Sequence, residues 1–432
     1  MSHASFMEKI LDGVEVELKP LWQVTTWDKK FNAVSREKQP KVINYPYLLA
    51  ADLFNLQQDD CGHHVFLLST GERTGWTTEK LAGTYLREGE VVTIPWGKSR
   101  PVKDVIKYYK GRFVTADNRI ATSNDTDKLL NKFLYYWLMT QAEVIDSFYR
   151  GAGIQHPSMA AVLDMKIPVP PLAIQAEIVR ILDAFTAHTA ELTAELTARK
   201  KQYHYYRDQL LTFEEGQAEW KTLGEVSTKV SSGGTPLSTR PDFYDGDIPW
   251  LRTQEVRFNE IFATDVKITE LAVKNTSAKW IPANCVVVAI SGATAARSAI
   301  NKIPLTTNQH CCNLEITPAI ANYRYVFHWV CREHDKLKAL GQGARGDLNS
   351  GIIKDYPIPI PYADNPEKSL TEQARIVAIL DKFDALTNSI TEGLPREIAL
   401  RQQQYEYYRD LLLSFPKPAP DAPLESVQKK HG

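Results

Sequence analysis

Side chains able to do covalent chemistry are few in this 432-residue chain, and none has the spacing of a working site. Cys61, His63 and His64 lie together, as do His310, Cys311 and Cys312, but neither group has a second ligand pair at zinc spacing. There is no GxxxxGKS/T phosphate cradle, no HExxH and no serine-hydrolase elbow. The Asn/Asp-Pro-Pro-aromatic signature of an amino-methyltransferase is absent too. Gly341 to Gly346 (GQGARG) matches GxGxxG in form. A dinucleotide site needs a strand before that motif and a helix after it; here an aromatic helix precedes and prolines follow. A binding loop or a turn is the better reading. The chain is expected to bind rather than to catalyse.

Two groups of residues suit nucleic acid. Lys98, Arg100, Lys103, Lys107, Lys110 and Arg112 run against one acid, Asp104, with Tyr108 and Tyr109 among them. Such a run can follow a phosphate backbone, although a solvated charged face has the same composition. In the second half, Ser231 to Pro236 (SSGGTP) offers backbone donors around Thr235. Arg252, Arg257, Arg297, Gln309 and Arg345 follow. Arg and Gln are the side chains best shaped to read guanine and adenine edges. Trp250 is assigned to the core.

These residues hang on a duplicated scaffold. Gln175 to Asp183 (QAEIVRILD) recurs as Gln373 to Asp381 (QARIVAILD), and Gln202 to Phe213 (QYHYYRDQLLTF) as Gln404 to Phe415 (QYEYYRDLLLSF). Two matching blocks in the same order are an internal tandem duplication. Ile178, Leu182, Phe185, Thr189, Leu192, Leu196, Arg199, Tyr203, Tyr206 and Leu210 alternate at spacings of four and three, a heptad seam. A helix over 174–212 would be roughly 55 Å long. The second seam runs Ile376, Leu380, Phe383, Thr387 and Ile390 and resumes at Ile398, Tyr405, Tyr408 and Leu412. Gly393 and Pro395 predict a break between them, with Pro395 opening a new segment. Each seam is led in by prolines, IPVPP at 167–171 and IPIP at 358–361, which must be extended. With two related seams in one chain, an antiparallel intramolecular pair is expected.

The segments between the helices are divergent relatives. ELKPL at 17–21 answers EWKTL at 219–223, and β-like runs 90–95 and 285–290 are followed by aromatic helices around 133–138 and 323–330. The fold class is α+β: two globular mixed α/β domains held apart by an antiparallel pair of long helices. The boundaries are a first domain 1–165, helical region 166–215, second domain 216–357, helical region 358–417 and a disordered tail 418–432. Five cysteines without framework spacing, no signal peptide and no apolar run of 18 residues point to a cytoplasmic chain with no membrane partner. A net charge of −1 argues against a protein that grips nucleic acid by bulk charge alone, while local clusters can still bind or a partner can supply the phosphate contacts.

The IPxP, QxxIVxxLD and QYxYYRDxLLxF pattern resembles the specificity subunit of type I restriction–modification enzymes. Gly233 to Pro236 with Ile248 to Trp250 is similar to the opening of a target recognition domain of that family, an opening the first domain (21–164) lacks. Thr189 to Leu196 (TAEL twice) resembles the central repeat of its IC-type members. The resemblance implies double-stranded DNA as ligand, with a bipartite asymmetric target read by two target recognition domains. It also implies two modification (methyltransferase) subunits docked on the helices, and restriction subunits that carry out ATP-dependent translocation and cleavage. S-adenosylmethionine, ATP and Mg would belong to those partners, and no cofactor to this chain. Tyr203, Tyr206, Tyr405 and Tyr408, or the polar residues flanking them, would shape the docking joint. The alternative from another class is a structural adaptor, its two domains binding proteins.

The TAEL pair predicts a ruler. Each tetrapeptide adds about 6 Å and about 400° of helix, leaving about 40° beyond a full turn. That is close to the twist of one base pair at about 10 to 10.5 per turn. Adding one TAEL unit is expected to lengthen an unspecified spacer of roughly six or seven base pairs by about one, with both half-sites unchanged. Methylome mapping of the two forms checks this, and an unchanged spacer excludes the ruler.

Overall fold

The computed structural model describes residues 11, 13–14, 16–56, 64–69, 75–98, 100–122, 127–343, 346–389 and 392–415. Arg345, Cys61, His63 and the expected tail at 418–432 lie outside the described residues. Five helices matter here: α1 (Asn131–Thr140), α2 (Leu172–Leu210), α3 (Tyr323–Arg332), α4 (Pro366–Asn388) and α5 (Gly393–Leu412). The chain divides into two compact units, Met1–Ala190 with Leu400–Gly432, and Glu191–Ala399. The first unit is built from two separate stretches of sequence, and each unit includes helix from both copies of the duplication. Both TAEL tetrapeptides lie within the single uninterrupted α2.

In the first unit the Lys107–Ala116 strand has Arg87–Pro95 antiparallel on one side and Val65–Leu68 parallel on the other. Arg119–Thr122 closes the far edge of Arg87–Pro95. The core under this sheet joins Leu21, Ile94, Phe133, Leu134 and Ile167 to Ile178 and Leu182 of α2 and Leu412 of α5. In the second unit Val286–Ala289 lies between Ser298–Asn301 and Cys311–Ile316, both antiparallel. A smaller four-stranded sheet carries Tyr244–Leu251 and Leu305–Thr307. The main core of the second unit joins Val286, Leu314 and Tyr325 to Tyr203 of α2 and Ile376 and Leu380 of α4.

The proline lead-ins are extended, as expected, and each is a strand of a two-stranded sheet. Lys166–Val169 pairs with Glu17–Pro20, and Pro357–Pro361 with Ala218–Thr222. A two-stranded ribbon has an outer edge on each strand, which is where prolines without an N–H are tolerated.

The repeated QxxIVxxLD has a physical job in each unit. Gln175, fully buried, accepts from the Leu130 N–H at the start of α1 (2.9 Å) and donates to the Lys128 and Pro170 carbonyls. Gln373, also fully buried, accepts from the Asn322 N–H at the start of α3 (2.8 Å) and donates to Ile320 O and Ser369 Oγ. The motif's aspartate then clasps the same aromatic helix. Asp183 accepts from Lys132 Nζ (2.8 Å) and the Tyr136 hydroxyl (2.6 Å). Asp381 accepts a fork from Arg324 (2.6 and 2.9 Å) and lies 2.7 Å from His328 Nε2. Burial pulls the Asp381 carboxyl upward, but the bonds from His328 and Arg324 outweigh it and hold its pKa below the ordinary value.

The seams pair within each unit. Phe185 of α2 stacks on Tyr408 of α5, with centroids 5.3 Å apart. Phe383 of α4 stacks on Tyr206 (5.5 Å) and Tyr203 (6.2 Å) of α2. The same Phe–Tyr contact thus forms twice with the copies exchanged. The expected break falls between Asn388 and Gly393, and α5 opens at Gly393, two residues earlier than the sequence suggests. Gly393 has φ 74°, and a Cβ there would come within 2.4 Å of Ala385 O, so only glycine fits.

Gln373→Leu is expected to destabilise the second unit by about 1–3 kcal/mol, because it strands the Asn322 N–H. Asp381→Asn is expected to cost about 1.5–3 kcal/mol at neutral pH by removing charge-assisted bonds. Since the folded pKa of Asp381 is depressed, its contribution is present above the unfolded pKa of about 3.9 and fades as pH falls through the folded value. Urea unfolding over a descending pH series from pH 7 checks both substitutions, and an Asp381→Asn penalty that does not shrink as the pH falls below the unfolded pKa contradicts the assignment.

Candidate nucleic-acid interface

In the second unit, backbone hydrogen bonds bring four loops to one end of the sheets. Gly234 N donates to Thr307 O (2.9 Å), Asn308 N to Leu251 O (3.0 Å) and Ile290 N to His310 O (2.9 Å). Leu348 N donates to Ile290 O (2.8 Å) and Gly292 N to Asp347 Oδ1 (2.9 Å). Gly233 must be glycine, because a Cβ would lie 1.7 Å from Thr307 O. The GGTP turn therefore lies directly on the strand that delivers Gln309.

This assembly brings together residues far apart in sequence. The Thr235 hydroxyl donates to Gln309 Oε1, and Gln309 Nε2 lies 3.2 Å from His310 Nε2; all three residues are exposed. Arg252 leaves the Tyr244–Leu251 strand beside Asn308, its guanidinium 3.5 Å from Glu255 and 3.8 Å from Asp265. Arg257 is exposed and donates through Nε to Gln254 O (2.7 Å). Phe258 N donates to Ser298 O (2.9 Å), which sets Arg257 next to Arg297. Arg297 is half-buried, and among the described residues its guanidinium has no hydrogen-bond or ion-pair partner. Trp250 is buried, as assigned, and its indole N–H donates to Gly234 O (3.0 Å), so it braces the turn from inside.

The basic run of the first unit is spread out rather than gathered. Lys98 is ion-paired to Asp146 and lies 4.8 Å from the Tyr149 ring centroid, and burial lowers its pKa. Lys110 pairs with Glu90 (2.7 Å), and Arg112 with Glu79 and Glu88. Lys107 donates to Ser69 O (2.8 Å). Arg100 and Lys103 are exposed on the loop before that strand. Glu88 and Glu90 come from the neighbouring strand, whose register the sequence does not reveal. Among the described residues no cluster of three or more His, Cys, Asp or Glu could hold a metal, and no helix is long and apolar enough to cross a membrane.

The four seam tyrosines are covered to different degrees, and Tyr206 is still 38% exposed. Tyr203 is buried, Tyr405 and Tyr408 are half-buried, and Tyr206 stacks on Phe383. The outward tyrosines are their neighbours, Tyr205 at 58% exposure and Tyr407 at 55%. Each meets its seam neighbour edge-on, at 5.5 and 5.4 Å. The sequence contained this signal: a residue that follows a seam position by two cannot face the seam.

The family described as type I restriction modification DNA specificity domain matches twice, over residues 14–199 and 217–400. The chain belongs to that family: it is a DNA-specificity subunit of the type I restriction–modification class, a class whose role is recognition and not catalysis. It is similar to the type I restriction enzyme EcoR124I/EcoR124II specificity subunit of Escherichia coli, 40% identical over 434 residues covering 97% of this chain and 99% of that one. A type I restriction enzyme specificity subunit of Haemophilus influenzae is 31% identical, covering 96% and 99%. The fold matches the type I restriction–modification S subunit of M. genitalium, with a TM-score of 0.58 and 15% identity over 94% of this chain and 98% of that one. A second solved chain, from work on complex assembly and conformational transition of the type I R-M system, gives 0.53 at 16% identity over 93% and 98%. Membership in this family decides against the protein-binding adaptor.

Arg297→Ala and Gln309→Ala are each expected to weaken binding to the cognate duplex by about 1–3 kcal/mol, with the loss confined to one half-site. Arg252→Ala is expected to lose less, since Glu255 and Asp265 already engage its charge. Competition binding with duplexes altered in one half-site at a time checks this. Equal losses at both half-sites contradict it.

Proposed function

We propose that this chain reads a bipartite, asymmetric double-stranded DNA target, one half-site with each unit, and docks two methyltransferase subunits. The observation that carries the reading is the duplicated wiring. Gln175 and Gln373 hold the aromatic helices, Asp183 and Asp381 clasp them, and Phe185 and Phe383 stack on tyrosines of the other copy. A scaffold repeated in this way offers two equivalent surfaces to two copies of one partner. The loops on it differ, so the two half-sites differ. The outward Tyr205 and Tyr407 recur at matching positions and suit the docking joint better than the seam tyrosines, whose rings already serve the helix pairing.

S-adenosylmethionine would be held by the methyltransferase subunits, and ATP with Mg by restriction subunits that join the same complex. This chain contributes position: it fixes where on DNA the partners act. The half-site contacts of Arg100, Lys103, Thr235, Arg252, Arg257, Arg297 and Gln309 belong to the same reading.

The isolated chain is expected to show no methyl transfer, ATPase or nuclease activity, and to gain sequence-specific DNA binding with its modification subunit. Tyr205→Ala is expected to leave a complex with one modification subunit, and Tyr205→Ala with Tyr407→Ala none, with unfolding temperatures unchanged. Native mass spectrometry counts the subunits. Intact two-to-one assembly of the double variant overturns the docking assignment.

A further inference from the structure

The first unit lacks a GGTP turn, so its reading surface cannot be found by motif. Strand register finds it. Pro95 pairs with Arg119 as Ala289 pairs with Cys311. One residue on, Trp96 N donates to Asn118 O (3.0 Å) as Ile290 N donates to His310 O (2.9 Å). A parallel strand flanks each arrangement on the same side, Val65–Leu68 beside Lys107–Ala116 and Asn259–Ile261 beside Ser298–Asn301. Three residues into the edge strand, Trp27 bridges Thr122 as Val230 pairs with Leu314. Counting from these pairs, Trp27 to Lys30 occupies the place of Val230 to Gly233, and Asp117 that of Gln309. The end of the first sheet that answers the Thr235–Gln309 end of the second is therefore fixed without a motif.

A different chemistry occupies that end. Lys29 Nζ donates to Asp117 O (3.0 Å) and lies 5.2 Å from the Tyr47 ring and 5.7 Å from the Trp96 ring. Trp96 stacks on Phe31, with centroids 6.3 Å apart and planes at 21°. Tyr47 is 51% exposed and Trp96 37%, and Lys30, the residue after Lys29, is exposed. An ammonium carries three donors, so a lysine held by one carbonyl between two aromatic faces is aimed before any ligand arrives. Lysine donors suit guanine O6 and N7 or a phosphate, and exposed ring faces suit thymine methyls and deoxyribose.

We infer that the first unit reads its half-site with Lys29, Lys30, Tyr47 and Trp96, on the sheet end equivalent to the Thr235–Gln309 end of the second unit. This rests on the DNA-recognition reading above and adds a base-reading surface to the Arg100 and Lys103 contacts that reading names in the first unit. The expected footprint is one half of the target, the half untouched by Arg297 and Gln309.

The test uses the complex of the full chain with its modification subunit and the cognate duplex identified by methylome sequencing. Companion duplexes carry base changes in one half-site at a time. Lys30→Ala and Trp96→Ala are each expected to weaken cognate binding about ten- to hundredfold and to abolish the penalty for changes in one half-site only. Arg297→Ala with Gln309→Ala should abolish the penalty in the other half. Lys30→Arg and Trp96→Phe should retain most of the affinity. Lys30 is exposed, so its variant serves even where a Trp96 variant fails to fold. Wild-type-like discrimination by a stably folded Lys30→Ala complex, or loss in the same half-site as the Arg297 and Gln309 variant, overturns the inference and leaves the functional reading standing. A wild-type complex with no sequence preference at all overturns both.

Discussion

A glutamine and an aspartate eight residues apart, on one face of a helix, fix each long helix to its globular body. The glutamine is buried, and a buried amide is stable only when its hydrogen-bonding groups are satisfied. It satisfies them with backbone groups just before the aromatic helix, so that helix has one permitted position on the long one. The aspartate then sets its rotation, by a Lys and a Tyr in the first unit and an Arg and a His in the second. The partners changed and the clasp stayed. Everything further out, from the sheet to the loops at its end, is built upon that joint.

This division of labour explains why the two halves can diverge so far. Strand order, the register around the central strand and the bond from Trp96 or Ile290 to the facing turn are backbone features, indifferent to side-chain identity. Loops emerging from a constant frame can exchange Ser-Gly-Gly-Thr for Lys-Lys-Phe-Asn without moving the frame. Glycine is demanded where a loop lies against another strand, as Gly233 does on Thr307. A recognition surface assembled in this way can change its target by loop substitution while its docking helices remain the same.

The scaffold was legible in the sequence and the reading surface was not, for one physical reason. Seams, proline lead-ins and repeated motifs are local or periodic, so spacing alone located α2, α4, the break before α5 and both aromatic helices. The pairing of Glu88 and Glu90 with Lys110 and Arg112 is a cross-strand event, which turned a basic run on paper into a largely neutralised strand. The outward position of Tyr205 could have been derived from the seam itself. The Lys29–Trp96–Tyr47 cluster could not, because its members lie on three segments joined only by the sheet.

The charge distribution bears on how such a subunit works. Non-specific affinity for DNA scales with the number of cations free to displace counterions. Here the chain carries a net charge of −1, and Lys98, Lys110 and Arg112 are engaged by carboxylates of their own unit. Few cations of that run are left free to displace counterions on random sequence. In the proposed complex the methyltransferase subunits would supply the general phosphate grip, and binding to DNA would require assembly first. The recognition loops then contribute chiefly the difference between right and wrong sequence. Because that difference is a ratio of affinities, lowering the non-specific term raises specificity as effectively as adding base contacts. On the proposed reading, a near-neutral reader that depends on its partners for grip would be kept from occupying DNA without the enzyme that must act there.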